Sequence, residues 1–146
     1  MGLDEKTQEI RQAQCIQILW HRILYGNMQG LLLLCTLLRT SKIKEERGKQ
    51  IVYAVYLASA PWNLKHLCPD PVYSLVGSVL VATAIQVSRD EDCEGRFGLH
   101  SLQQAEEFYT TCGMTDLGID EEHTDRLRYF EMTKKAAAEF LPEAKK

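Results

Sequence analysis

The chain has 146 residues, 45% of them hydrophobic and 25% charged, which is the size and balance of one globular domain that can bury its own core. Its 17 basic and 20 acidic residues leave a net charge of -3, without the basic footprint that nucleic acid or an anionic membrane surface requires. The longest apolar run, Leu31–Cys35 followed by Leu37 and Leu38, is too short to cross a bilayer and too far along the chain for a signal peptide, so a cytoplasmic location is expected.

Taken in order, Asp4–Leu24 is expected to be a helix. Ile10, Cys15, Ile18, Leu19, Ile23 and Leu24 recur at mostly helical steps, and no Gly or Pro interrupts them. Tyr25-Gly26-Asn27 supplies a stop and turn. Gln29–Arg39 reads as a buried strand, although four consecutive leucines also suit a helix. Thr40–Gln50, with Lys42, Lys44, Glu45, Glu46, Arg47 and Gly48, is a solvated turn. It joins that strand to the clearest one, Ile51–Ala60, where Val52, Tyr53, Val55 and Tyr56 are strong β residues. The two strands then form an antiparallel hairpin.

Pro61–Pro71 is a loop, and Gly77–Val87 has the 3.6-residue period of a helix. An acidic turn over Ser88–Gly95 leads to a short strand, Arg96–His100. Ser101 with Gln104 reads as a capping box for a helix that runs to about Thr111 and ends at Gly113. Thr115–Gly118 and Leu127–Thr133 are further strands, and Ala136–Leu141 is a short helical tail. If the strands flanking the middle helix are neighbours, they are parallel. The class is α/β or α+β with one mixed sheet.

The five cysteines (Cys15, Cys35, Cys68, Cys93 and Cys112) form no CxxC or CxxH pair, and the histidines His21, His66, His100 and His123 are scattered. Free core thiols in a reducing compartment and no metal are therefore expected.

The run Gln104-Ala105-Glu106-Glu107-Phe108-Tyr109-Thr110-Thr111-Cys112-Gly113-Met114 resembles the A-x-x-F/L-Y-x-x-x-G-F pattern of the GNAT acetyltransferases. Upstream, Ile51–Pro61 resembles that family's fourth strand, and Ser74–Ala82 its pyrophosphate loop entering the third helix. Arg96–His100 falls where the fifth strand belongs. Ala60-Pro61-Trp62-Asn63, Gly98-Leu99-His100-Ser101 and Leu127–Thr133 are similar to segments of a bacterial branch. The resemblance covers roughly residues 28–133.

The resemblance implies one domain over residues 1–146 with a mixed, mostly antiparallel central sheet, splayed fourth and fifth strands, flanking helices and a shortened N-terminal part. It implies N-acyl transfer by direct attack of an amine on acetyl-CoA, with no metal and with homodimers as the default. The pantetheine arm would pair with Leu57, Ala58, Ser59 and Ala60, and the pyrophosphate would rest on Leu75, Val76, Gly77 and Ser78 at a helix N-terminus. Tyr109 matches the tyrosine that protonates the leaving thiolate, with packing of the helix onto the sheet as its other reading. Glu45, Glu46, Glu131 and His100 stand as candidate bases, none preferred. Trp62 lines a pocket or anchors its loop, and Cys112 is a core thiol rather than a nucleophile.

The chain departs from the pattern at Val72 and Leu75, where a polar residue and a glycine normally serve the phosphates, and at Leu102, which replaces an asparagine. These departures leave an alternative, a domain of this fold that binds CoA weakly or not at all and acts as an interaction module.

Overall fold

The computed structural model describes residues 16–23, 27–59 and 76–144. Among them, strands β1 (Ile16–Ile23), β2 (Asn27–Thr40), β3 (Gln50–Ser59), β4 (Phe97–Ser101), β5 (Thr115–Ile119) and β6 (Arg128–Met132) form one sheet in the order β1-β2-β3-β4-β6-β5. Helices α1 (Val76–Asp90), α2 (Glu106–Thr111) and α3 (Lys134–Phe140) complete the described part. Every neighbouring pair is antiparallel except β3 and β4, which are parallel and joined through α1, as expected for strands flanking the middle helix.

Residues 16–23 correct the expected N-terminal helix. They pair antiparallel with β2, Ile16 opposite Cys35 and Trp20 opposite Leu31. The apolar positions of this segment fit a helical period and a two-residue period about equally, since Ile16, Ile18 and Trp20 alternate. Long β2 presents a second edge of backbone donors and acceptors that needs partners, and that tertiary demand decides the outcome. The rest of Asp4–Leu24 lies outside the described residues, as do the turn at Tyr25-Gly26 and the loop that carries Trp62.

The β2–β3 hairpin forms as expected. Lys44–Glu46 make a single 3-10 turn, and the Ser41 amide donates to the Lys49 carbonyl at 2.8 Å to close the loop. Glu46 fixes this loop to the far side of the sheet: its carboxylate takes the Arg96 Nε–H at 2.7 Å and the Lys134 amide at 3.0 Å. The capping box at Ser101 does not form. Ser101 is drawn into β4 by pairing with Arg128, and its hydroxyl donates to the Leu102 carbonyl instead. A 3-10 turn at Gln103–Ala105 then starts the shorter helix α2. Gly113 ends that helix as expected, at a φ of +93° that a side chain would strain.

Two cores lie on opposite faces of the sheet. On one, Leu80, Val81, Ala84 and Ile85 of α1 pack with Leu32, Leu34, Val52, Ala54, Phe97, Leu99, Phe130 and Met132, and α2 adds Tyr109. The other face carries the smaller cluster of Cys35, Tyr53, Val55 and Tyr129. The alternation of strand side chains sorts them: Phe97 and Leu99 face α1, while Gly98 and His100 face away. A bulge interrupts β3, because Leu34 pairs with Ala54 but Leu33 pairs with Tyr56, leaving Val55 as the extra residue. The parity of β3 switches there, so Leu57 returns to the α1 side.

Candidate active site

The β3–β4 ladder is short. Val52 pairs with Phe97, Tyr53 with Gly98 and Ala54 with Leu99, and the ladder ends there although β3 runs on to Ser59. It stops one residue before the bulge at Val55, and a bulge bends a strand and increases its twist. The two strands therefore part at Ala54 and Leu99, the splay expected from the sequence.

The first turn of α1 sits beside this parting. A Cβ on Gly30 would lie 2.9 Å from Val76 Cγ1 and 3.2 Å from the Ala58 carbonyl, so Val76 is seated over the far end of β3. A Cβ on Gly77 would lie 2.9 Å from Phe108 of α2. The first amides of any helix lack intrahelical partners and carry the positive end of its dipole. Here that end lies between β3 and α2.

The expected cofactor residues thus gather partly in one place. Leu57, Ala58 and Ser59 lie on the β3 extension past the ladder, with Ala58 exposed. Val76, Gly77 and Ser78 form the first turn of α1. Ala60 and Leu75 lie outside the described residues, as does Val72.

Tyr109 is buried in the core under α1, its ring 5.3 Å from Phe108 and 5.9 Å from Phe130. Burial pushes its phenol well above the ordinary tyrosine value, with Cys112 adding to the shift. The same burial pushes the Cys112 thiol up to about 11. Cys112 is free and buried, an inert thiol as expected.

The candidate bases separate clearly. Glu45 is exposed, and Glu46 is bound to Arg96 and the Lys134 amide. Glu131, almost completely buried, accepts the Ser41 hydroxyl at 2.6 Å and the Lys42 amide at 2.8 Å. His100 stands one residue past the end of the ladder, on the face away from α1. Its Nδ1 lies 2.7 Å from the Tyr53 hydroxyl and its Nε2 lies 2.8 Å from Asp120 Oδ2. His123 stacks on it at 4.1 Å, and the Tyr129 ring lies 4.9 Å away.

The hydrogen bond from His100 holds Asp120 below the usual carboxylate range. Asp120 is therefore ionised at neutral pH, and His100 Nε2 donates to it. Nδ1 is then the acceptor of the neutral ring, and the Tyr53 hydroxyl donates to it. Burial holds His100 below its ordinary value, despite the opposing pull of Asp120. Sequence reasoning found His100 but neither Tyr53 nor Asp120 as its partners, which come from β3 and from the loop after β5.

The chain is similar in structure to an acetyltransferase from Bacillus cereus, at a TM-score of 0.53 and 19% identity over 90% of this chain and 79% of that one. It is also similar to FeeM, an N-acyl amino acid synthase from uncultured soil microbes, at a TM-score of 0.62 and 9% identity over 94% and 79%. A third similar structure is Tetrahymena GCN5, at a TM-score of 0.51 and 8% identity over 86% and 79%. The fold is that of the GNAT acetyltransferases. No family model matches the sequence, and no curated protein sequence matches it. In this chain the parting of β3 and β4, the first turn of α1 and helix α2 lie next to one another. Among the described residues no group of three or more His, Cys, Asp and Glu is placed to hold a metal, and no helix is long and apolar enough to cross a membrane.

Proposed function

We propose that the protein is an acyl-CoA-dependent N-acyltransferase that moves an acetyl group from acetyl-CoA to an amine. The observation that carries this reading is the end of the β3–β4 ladder at Ala54 and Leu99, with the first turn of α1 seated beside the β3 extension. A strand edge released from its neighbour can pair with an extended amide-bearing chain such as pantetheine. Leu57, Ala58 and Ser59 provide that edge. A helix N-terminus nearby suits the pyrophosphate, with Val76, Gly77 and Ser78 as its donors.

Tyr109 is the proton donor to the departing thiolate in this reading. Its burial keeps the phenol protonated at neutral pH. A thiolate released into the same desolvated surroundings would be made more basic by them, which favours its taking that proton. The amine acceptor, the homodimer and the cytoplasmic location belong to the same proposal.

A thermal melt with and without acetyl-CoA tests it. Ligand at about 100 times its dissociation constant stabilises the fold by about 2.7 kcal/mol, a rise of several degrees for a domain of this size. No rise at millimolar ligand favours the second reading, an interaction module of the same fold, for which Val72 and Leu75 are the supporting observations. Those residues put bulk and apolar character where the phosphates need close backbone approach.

A further inference from the structure

We propose that Tyr53 and His100, with Asp120 behind them, form the proton acceptor for the amine in this reaction; the assignment rests on the acyltransferase reading above. Three observations converge on it. His100 lies one residue past the last rung of the β3–β4 ladder, and Tyr53 one residue before it, so both stand at the end of that pairing on the face away from α1. The chain Tyr53 Oη to His100 Nδ1 to Nε2 to Asp120 is continuous at 2.7 and 2.8 Å. The other candidate carboxylates are bound elsewhere or exposed, as Glu46 and Glu131 show.

The surroundings keep the ring neutral and aimed. The groups that face it are Arg39 on β2, Tyr53 on β3, Asp120 and His123 in the loop after β5, and Tyr129 on β6. Arg39 stacks on the Tyr53 ring at 3.8 Å. Asp120 is fixed in turn, since its other carboxylate oxygen accepts the Glu122 amide at 3.1 Å. His123 Nδ1 accepts the Asp125 amide at 3.2 Å. Asp120 at Nε2 pairs the imidazolium once a proton arrives on Nδ1. Asp120 touches no substrate and is a positioning residue.

The step balances. The amine nitrogen bonds to the thioester carbonyl carbon, and the carbon–sulfur bond breaks. One amine proton passes to Tyr53 Oη as the Tyr53 proton passes to His100 Nδ1. The leaving thiolate takes a proton from Tyr109, and the imidazolium and the phenolate are restored through solvent.

The test uses the full chain, with acetyl-CoA as donor and glycine, 1,4-diaminobutane or a triglycine peptide as probe amine, read by release of the CoA thiol. Titration calorimetry on wild type measures acetyl-CoA binding first. Its absence overturns the acyltransferase reading by a measurement in which His100 plays no part. With binding present, His100→Gln leaves the dissociation constant within about two-fold and lowers kcat/KM about 10²–10⁴-fold. The acid limb of the wild-type pH profile, with its inflection below the ordinary histidine value of 6.5, disappears in His100→Gln. In Asp120→Asn it moves to lower pH. His100→Gln with an unchanged rate and acid limb overturns the assignment. Should none of the three amines react, nitrogen NMR of the imidazoles decides it. A neutral His100 ring protonated on Nε2 supports the assignment. A cationic ring at neutral pH, or one protonated on Nδ1, overturns it.

Discussion

Gly98→Ala isolates one contact on which the polar face depends. Gly98 is buried on β4 beneath Tyr129, and an ideal Cβ there would lie 2.5 Å from Tyr129 Oη, 3.1 Å from Cζ and 3.2 Å from Cε2. Real Cβ atoms essentially never approach to 2.5 Å, so the ring must move. Tyr129 is 4% exposed, with His100 beside it and Lys42 5.1 Å from its ring centre, which leaves it little room. Overpacking of this kind typically costs about 1–3 kcal/mol, and the entropy that alanine removes from the unfolded chain returns about 0.4–1 kcal/mol. The net expectation is a loss of about 1–2 kcal/mol, read in urea as a fall of about 0.5–1 M in the midpoint for a slope near 2 kcal/mol/M. The same substitution in a Tyr129→Phe background meets no oxygen, and its nearest neighbour is then Cζ at 3.1 Å. Its cost there should be smaller, since the ring then has to give by only a few tenths of an ångström, and the difference is a coupling of about 1 kcal/mol between the two sites. Equal costs in both backgrounds, or a neutral Gly98→Ala, would refute the reasoning.

Two further expectations concern the proposed chemistry and its pH range. Tyr109→Phe should lower turnover about 10²–10⁴-fold with acetyl-CoA affinity unchanged; unchanged turnover in steady-state assays removes Tyr109 from the mechanism. Stability should fall in acid in two stages, followed by urea midpoints between neutral pH and pH 3. His100 is held below its ordinary 6.5, so the unfolded chain binds the extra proton first; its contribution is complete above about 6.5 and fades as pH falls toward the lower native value. Asp120 is held below its ordinary 3.8, so its contribution is present above that value and is lost on further acidification. His100→Gln should erase the upper stage, and a mutant curve parallel to wild type throughout would refute the assignment.

Elements whose character is set locally were legible in the sequence. The β-branched and aromatic run of β3, the charged β2–β3 loop and the glycine that ends α2 each carry their signal within a few residues. The resemblance to the acetyltransferases rested on Ile51–Pro61, Ser74–Ala82, Arg96–His100 and Gln104–Met114, and the fold agrees with it. Ile16–Ile23 was misread because its apolar spacing is compatible with two periods, and the edge of β2 that settles the matter is a tertiary fact. Ser101 was misread for a related reason: a residue suited to capping a helix was claimed by the ladder to Arg128 before any helix could begin.

The candidate site divides along the same line. The β3 extension and the first turn of α1 were legible as a strand and a helix because each is a continuous stretch with its own local pattern. The polar chain on the opposite face was invisible because its members lie 47 and 20 residues apart, and nothing in the local sequence of Tyr53 or Asp120 marks them as partners of His100. The parallel register places Tyr53 beside Gly98, two residues before His100, and a glycine at position 98 leaves room for Tyr129 against the strand. The loop after β5 then carries Asp120 to the other edge of the imidazole. The same register ends the β3–β4 ladder one residue short of His100. The parting of β3 and β4 and the orientation of a neutral imidazole are thus two consequences of one strand pairing, and a change that lengthened the ladder past Leu99 would close the first while displacing the second.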